Sequence, residues 1–236
     1  MGNNSTTDEL SPVQIASTYD WADVFLGLYS SAAKKNTDML FTWGLNNLGQ
    51  LGDSSVDDKH TPLQISLDSF ATISFGEQHA IALKSDGTLW AWGLGNLGQL
   101  GDGGTIIETC GSYKCSTVPV QIGSDNDWVE ISSGYYHNLA VKLDGTLWGW
   151  GGNWYGQLGD DGAITETCIN PSGVEISCST VPVQIGVDID WQSVSGGKLH
   201  SFGIKTDGIL WGWGNNSNGE LGNGYKTIQA TPVSIQ

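Results

Sequence analysis

Four cysteines are the side chains best placed to do chemistry in this chain, and they fall into two pairs. Cys110 and Cys115 bracket four residues, while Cys168 and Cys178 bracket nine. The same words frame both pairs: Glu-Thr-Cys before, at Glu108 and Glu166, and Cys-Ser-Thr-Val-Pro after, ending at Pro119 and Pro182. Cysteines so placed could hold zinc or oxidise. Structural zinc asks for closely spaced pairs brought together, and the wide step from Cys168 to Cys178 does not supply one. The spacing instead predicts two intraloop disulfides, Cys110–Cys115 and Cys168–Cys178. Disulfides persist in oxidising surroundings, which favours work outside a reducing cytoplasm.

The other reactive side chains carry less. His79, His137 and His200 occupy one equivalent position, filled by Ser30 in an earlier copy of the same pattern. A serine can replace a hydrogen-bonding imidazole but not a required metal ligand. Asp53, Asp102, Asp160 and Asp161 lack the oxygen ladder of a calcium loop. No nucleophile elbow, zinc-protease helix, phosphate loop or paired catalytic carboxylates occur, so neither catalysis nor a cofactor is expected.

The elements that position these residues follow from repetition. Align the chain on Gly27, Gly76, Gly134 and Gly197. Six residues upstream stands an aromatic, at Trp21, Phe70, Trp128 and Trp191. Eight downstream stands a lysine, at Lys35, Lys84, Lys142 and Lys205. An aromatic-x-Trp-Gly run follows, at Phe41–Gly44, Trp90–Gly93, Trp148–Gly151 and Trp211–Gly214. Gly-(Gln/Glu)-Leu-Gly closes each copy, at Gly49–Gly52, Gly98–Gly101, Gly156–Gly159 and Gly219–Gly222. Prolines at 12, 62, 119, 182 and 232 each lead a short apolar strand such as Pro119-Val120-Gln121-Ile122. Three more strands fit between prolines, in the third copy Trp128–Ser132, His137–Leu143 and Thr146–Trp150. Asp86-Gly87, Asp144-Gly145 and Asp207-Gly208 predict tight hairpins with positive φ at both central residues; the first copy has Thr37-Asp38 there. The tryptophans two apart, such as Trp148 and Trp150, share one strand face and are expected to pack between units.

Four antiparallel strands repeated about every fifty residues describe an all-β, propeller-type blade. Motifs such as Gly134-Tyr135-Tyr136-His137-Asn138-Leu139-Ala140 and Asp144-Gly145-Thr146-Leu147-Trp148-Gly149-Trp150-Gly151 resemble the regulator of chromosome condensation repeat family across residues 12–236. The resemblance implies a β-propeller, usually of seven blades, whereas this chain has four copies. It also implies functions to weigh: guanine-nucleotide exchange on a small GTPase, or, as in some secreted members, inhibition of β-lactamases. Light-sensing members pair their tryptophans with arginines in a Gly-Trp-Arg-His-Thr motif, which is absent here.

We assign residues 1–11 as a tail and 12–236 as one domain, with repeats near 12–61, 62–118, 119–181 and 182–231 and an extra edge strand at 232–236. That surplus strand and the missing blades leave open edges, which proteins usually avoid. Pairing between chains relieves them, so a homo-oligomer is expected, with an open arc or a compact four-bladed ring as the alternatives.

The 236 residues carry 9 basic and 25 acidic groups, a net charge of −16. Scattered lysines on an acidic chain argue against nucleic acid and against an anionic membrane surface. No apolar run is long enough to span a bilayer, and the N-terminus lacks the basic and apolar regions of a signal peptide. The expected function is a non-catalytic interaction or structural module displaying two stapled loops, 102–118 and 160–181, to a protein partner or to another copy. Tyr113, Lys114, Ile169, Val174 and Ile176 are the candidate contacts, with Trp154 and Tyr155 replacing the Asn-Leu of earlier copies. An extracellular or virion surface suits the cystines, including a phage decoration or tail protein; a cytoplasmic setting is the alternative.

Overall fold

A computed structural model describes residues 2–17, 20–66, 70–170 and 172–235. Four antiparallel sheets follow one another along the chain. The first orders β1 (Trp21–Leu26), β2 (Ser30–Lys35), β3 (Leu40–Gly44) and β4 (Lys59–Ser66). The second holds β5 (Phe70–Phe75), β6 (His79–Lys84) and β7 (Leu89–Leu94), then β8 (Thr109–Cys110) and β9 (Tyr113–Gln121). The third repeats this with β10 (Trp128–Ser133), β11 (His137–Lys142), β12 (Leu147–Gly152), β13 (Thr167–Ile169) and β14 (Glu175–Gln184). The fourth orders β15 (Trp191–Gly196), β16 (His200–Lys205), β17 (Leu210–Gly214) and β18 (Gln229–Ser234). In the two larger sheets the short strand pairs outside the long one, giving the orders β5-β6-β7-β9-β8 and β10-β11-β12-β14-β13.

The proline strand closes each sheet, because its ladder runs to the strand before it: β4 on β3, β9 on β7, β14 on β12 and β18 on β17. The blades are therefore phased later than the repeats taken from the sequence. Residues 232–234 lie inside β18 as an ordinary fourth strand, and it is Pro12–Ile15 that forms no ladder. Pro62, Pro119, Pro182 and Pro232 each fall inside their strand, at a register shift. In β9 the partner of Ala91 is Val120 and that of Gly93 is Ser116, so Pro119 sits in the skipped stretch and its missing N–H breaks no bond.

The hairpins differ from the expected two-residue form. Gly87 N–H donates to Lys84 O (3.0 Å) and Lys84 N–H to Thr88 O (3.0 Å), leaving a three-residue loop, Ser85 to Gly87. Only the glycine has positive φ (80°); Asp86 instead accepts from Thr88 N–H (3.0 Å) and Oγ1 (2.7 Å). In the first blade Asp38 takes the left-handed place, at φ 62°.

Blades stack through mixed aromatic and aliphatic faces. Ala32 and Leu40 of blade 1 meet Phe70 and Trp92 of blade 2. Ile81, Leu89 and Ile122 meet Trp128 and Trp150; Val141, Leu147 and Ile185 meet Trp191 and Trp213. Each buried indole donates back across the seam: Trp92 Nε1 to Gln50 O (3.0 Å), Trp150 to Gln99 O (3.0 Å) and Trp213 to Gln157 O (2.9 Å). A tryptophan hides roughly 200 Å². At about 25 cal/mol per Å² that is roughly 5 kcal/mol of gross stabilisation per seam, several times what the single hydrogen bond adds. The repeated lysines brace the rims: Lys142 Nζ lies 4.6 and 4.8 Å from the Trp128 and Trp148 ring centroids and 3.1 Å from Asp127.

The stack does not close. Among the described residues no apolar cluster joins blade 4 to blade 1, so the four blades form an open arc, a partial propeller.

Candidate functional site

Blades 2 and 3 differ from 1 and 4 in the hairpins appended to their outer edges. The β8–β9 hairpin carries the Cys110–Cys115 disulfide and the β13–β14 hairpin carries Cys168–Cys178, as the spacing predicts. All four half-cystines are buried. Cys110 and Cys115 rest on Leu48 of blade 1 and Leu94; Cys168 and Cys178 rest on Leu97 of blade 2. Each staple is thus seated on the corner of the preceding blade.

The shared flanking words now have a cause. Glu108 Oε2 accepts from Thr117 N–H (3.0 Å) and its Oε1 from Thr117 Oγ1 (2.7 Å). Glu166 holds Thr180 in the same way, at 2.9 and 2.7 Å. Ser116 Oγ donates to Val118 O and Ser179 Oγ to Val181 O, both at 2.7 Å. These glutamates and hydroxyls fix each hairpin to its own strand and are not free for a ligand.

Between the two hairpins lies a groove of about 630 Å³. Its floor is Gly95, Asn96, Gly98 and Leu100; one wall is Asp102 to Ile106 with Ser112 and Lys114, the other Glu166 to Ile169. Asp102 is committed to Ile106 N–H (2.6 Å), and Asn96 Oδ1 accepts from Lys114 N–H (2.6 Å). The exposed Lys114 ammonium and Ile169 side chain are therefore the adaptable groups of the groove. Beyond the Cys168 hairpin, Trp154, Ile176, Leu97 and Tyr136 line a smaller hollow of about 310 Å³. Burial, then the Glu77 carboxylate, pushes the Tyr136 phenol well above its usual range, so it stays a neutral donor there.

Seven candidate contacts are accordingly split. Lys114 and Ile169 line the main groove. Trp154 and Ile176 line the smaller hollow. Val174 is exposed near the hairpin tip, its carbonyl accepting from Asn170 N–H, and Tyr113 turns inward onto the Leu48 cluster. Tyr155 stands where Leu48 and Leu97 support the next blade's staple, but blade 4 carries no hairpin for it to support. Asn96, Ile106 and Ser112 were not evident from the sequence; they are ordinary loop residues until the blade stacking brings them to one groove.

The histidines join blades. His79 Nε2 lies 2.8 Å from Asn138 Oδ1, and His137 Nε2 lies 2.9 Å from Ser201 Oγ, each on the next blade. Asn138 Nδ2 and Ser201 Oγ donate to Gln99 O and Gln157 O, so each imidazole acts as the N–H donor. Burial pulls His79 down to about 4 and His137 to about 3. Among the described residues no group of three or more His, Cys, Asp or Glu is placed to hold a metal ion.

The sequence profile described as the regulator of chromosome condensation (RCC1) repeat matches residues 38–83, 86–141, 144–204 and 207–236. The chain belongs to this RCC1 repeat family. The probable E3 ubiquitin-protein ligase HERC4 of Rattus norvegicus is 36% identical over 116 residues, 48% of this chain and 10% of the ligase. The ultraviolet-B receptor UVR8 of Arabidopsis thaliana is 25% identical over all of this chain and 63% of its own length. Among solved structures, yeast RCC1 (Prp20) bound to Kap60 superposes with a TM-score of 0.79 at 25% identity, covering 95% of this chain and 50% of that one. The chain thus spans a tenth of that ligase and half of the RCC1 propeller.

Proposed function

We propose that this RCC1-repeat chain is a non-catalytic protein-interaction module whose partner enters the groove between the two stapled hairpins, and that it works in an oxidising setting outside the cytoplasm. One observation carries the reading. Two hairpins, each locked by a disulfide and a glutamate clamp, frame a concave site on the two blades that differ from the scaffold. Rigid loops lose little freedom on binding, which is what a preorganised recognition surface requires. The groove offers one lysine, one exposed isoleucine and backbone polar groups, a fit for an extended protein segment and a poor fit for bond-making chemistry. Relatives lend the general reading support: the yeast propeller was crystallised with Kap60, and a second study of Prp20p concerns its binding to Gsp1p and histones.

Replacing residues 103–115 and 161–178 with the short connection of blade 4 tests it. Partner capture by cross-linking and mass spectrometry from the extracellular fluid should be lost, while far-ultraviolet circular dichroism stays β-rich. A loop-free chain that captures the same proteins refutes the reading.

A further inference from the structure

The stapled hairpin of blade 3 ends in a strand with one side unpaired. Among the described residues β13 has β14 as its single neighbour. Its register sets Thr167 opposite Ser177 and Ile169 opposite Glu175. Two bonds at its ends fix which residues face β14: Cys178 N–H donates to Glu166 O (3.1 Å) and Asn170 N–H to Val174 O (2.9 Å). Bonded and non-bonded pairs alternate along an antiparallel ladder. Glu166, Cys168 and Asn170 therefore turn their backbone groups to β14, and Thr167 and Ile169 turn theirs away. Both residues are exposed, and no described group bonds to their outward N–H and C=O.

That free edge borders the groove. Glu166, Thr167, Cys168 and Ile169 line it in unbroken succession, whereas a strand showing its face would present every other residue. The opposite hairpin does show its face, through the cross-strand pair Thr109 and Lys114. It also has less edge to offer: Cys115 N–H donates to Glu108 O, so Thr109 alone in β8 turns outward. The floor between them includes Gly95 and Gly98, which let another backbone lie low upon it. The two carboxylates of the lining are held, Asp102 by Ile106 N–H and Thr105 Oγ1, Glu166 by Thr180 N–H and Oγ1. Lys114 differs from Lys35, Lys142 and Lys205, each of which holds an aspartate; its ammonium has no ion-pair partner among the described residues.

We propose that the occupant of the groove is an extended protein segment that adds to blade 3 as a further strand, pairing with Thr167 and Ile169 and setting an acidic side chain against Lys114. The inference rests on the groove being the partner site and specifies how that partner is held. In strand addition the main chain supplies affinity and alternate side chains supply choice. The staple gains a definite role in this mode. Cys168 lies between the two outward residues and is tied to buried Cys178, so the edge is fixed in its extended form before anything pairs with it. Shortness guards the same edge against indiscriminate pairing, because a three-residue strand cannot template a sheet.

Short random peptides, displayed and selected on the immobilised full-length protein, are the probe, with the hairpin-free chain described above as control. Selected peptides should place an acidic residue beside an aliphatic one and should slow exchange of the Thr167 and Ile169 amides. Thr167→Pro or Ile169→Pro should weaken their binding about tenfold or more, since each removes an outward N–H and leaves the bonds to β14 intact. On the unaltered protein, N-methylation of one alternate set of peptide residues should cause a similar loss, and of the other set little. Lys114→Glu should turn the preference from acidic to basic peptides. Peptides that the hairpin-free chain captures equally refute the groove as a site. Peptides that need the hairpins, yet leave both amides exchanging freely or tolerate both prolines and both methylation sets, overturn strand addition alone. An acidic preference that survives Lys114→Glu overturns the pairing with that lysine.

Discussion

Acidification from about pH 7.5 to 4.5 should weaken the blade stack through His79 and His137. Both are wholly buried and neutral, held by burial to about 4 and about 3 against an ordinary 6.5. A histidine depressed in the folded state adds nothing above its unfolded value, and its protons favour the unfolded chain as pH falls below that value. Between 6.5 and 4.5 the folded imidazoles stay largely unprotonated while the unfolded ones titrate, a span of two units. At about 1.4 kcal/mol per unit, each histidine costs at most about 2.8 kcal/mol, and the pair roughly 5 once the partial protonation of folded His79 at 4.5 is counted. That is a large part of the ~5–15 kcal/mol stability of a domain. Glu130, raised by burial, works in the opposite direction and offsets part of the loss. Urea unfolding followed by tryptophan fluorescence at both pH values measures the difference. A His79→Gln/His137→Gln chain, whose amides still donate to Asn138 and Ser201, should lose about 5 kcal/mol less over the same interval. If it loses as much as the parent, buried imidazoles are not the acid-sensitive element and the tautomers assigned above are wrong.

Trp150→Ala should cost about 3–5 kcal/mol in urea unfolding, from a cavity in a closed seam, whereas Trp43→Ala should cost less than half as much because its side chain is only half-buried. Gly145→Ala places a Cβ 2.1 Å from Ile189 O at φ 80° and should lower the melting temperature by several degrees. Asp38→Gly should raise it slightly, since the left-handed place then carries no side chain; the exposed contact with Lys34 is worth little. Cys168→Ser/Cys178→Ser should remove about 2–3 kcal/mol from local opening, read as faster amide exchange confined to β13 and the first half of β14.

Much of the fold was legible because one sentence is written four times and its strand alternation, glycines and Trp-x-Trp pairs agree in every copy. The strands predicted around His137 end within two residues of β10, β11 and β12. Which strand a proline run pairs with was not legible, since the period is the same whether Pro119 opens a blade or closes one; only the β9–β7 ladder decides. Asp-Gly announced a turn, but Thr88 bonding back to Asp86 selects the three-residue form. The staples could be paired from spacing alone. The direction of Tyr113 could not, because whether it faces solvent depends on Leu48, sixty-five residues earlier.

The hairpins lengthen β9 and β14 past the end of the ladder that ties them to their blades. Insertions there lie outboard of every seam, so their length and content can vary without asking any indole to move. The corresponding ends of β4 and β18, near Lys59 and Gln229, pair with Gly44 and Gly214 in the same register and carry no extension. They are vacant mounting points, at which a third or fourth cystine-locked finger could be grafted to widen the grip of the arc.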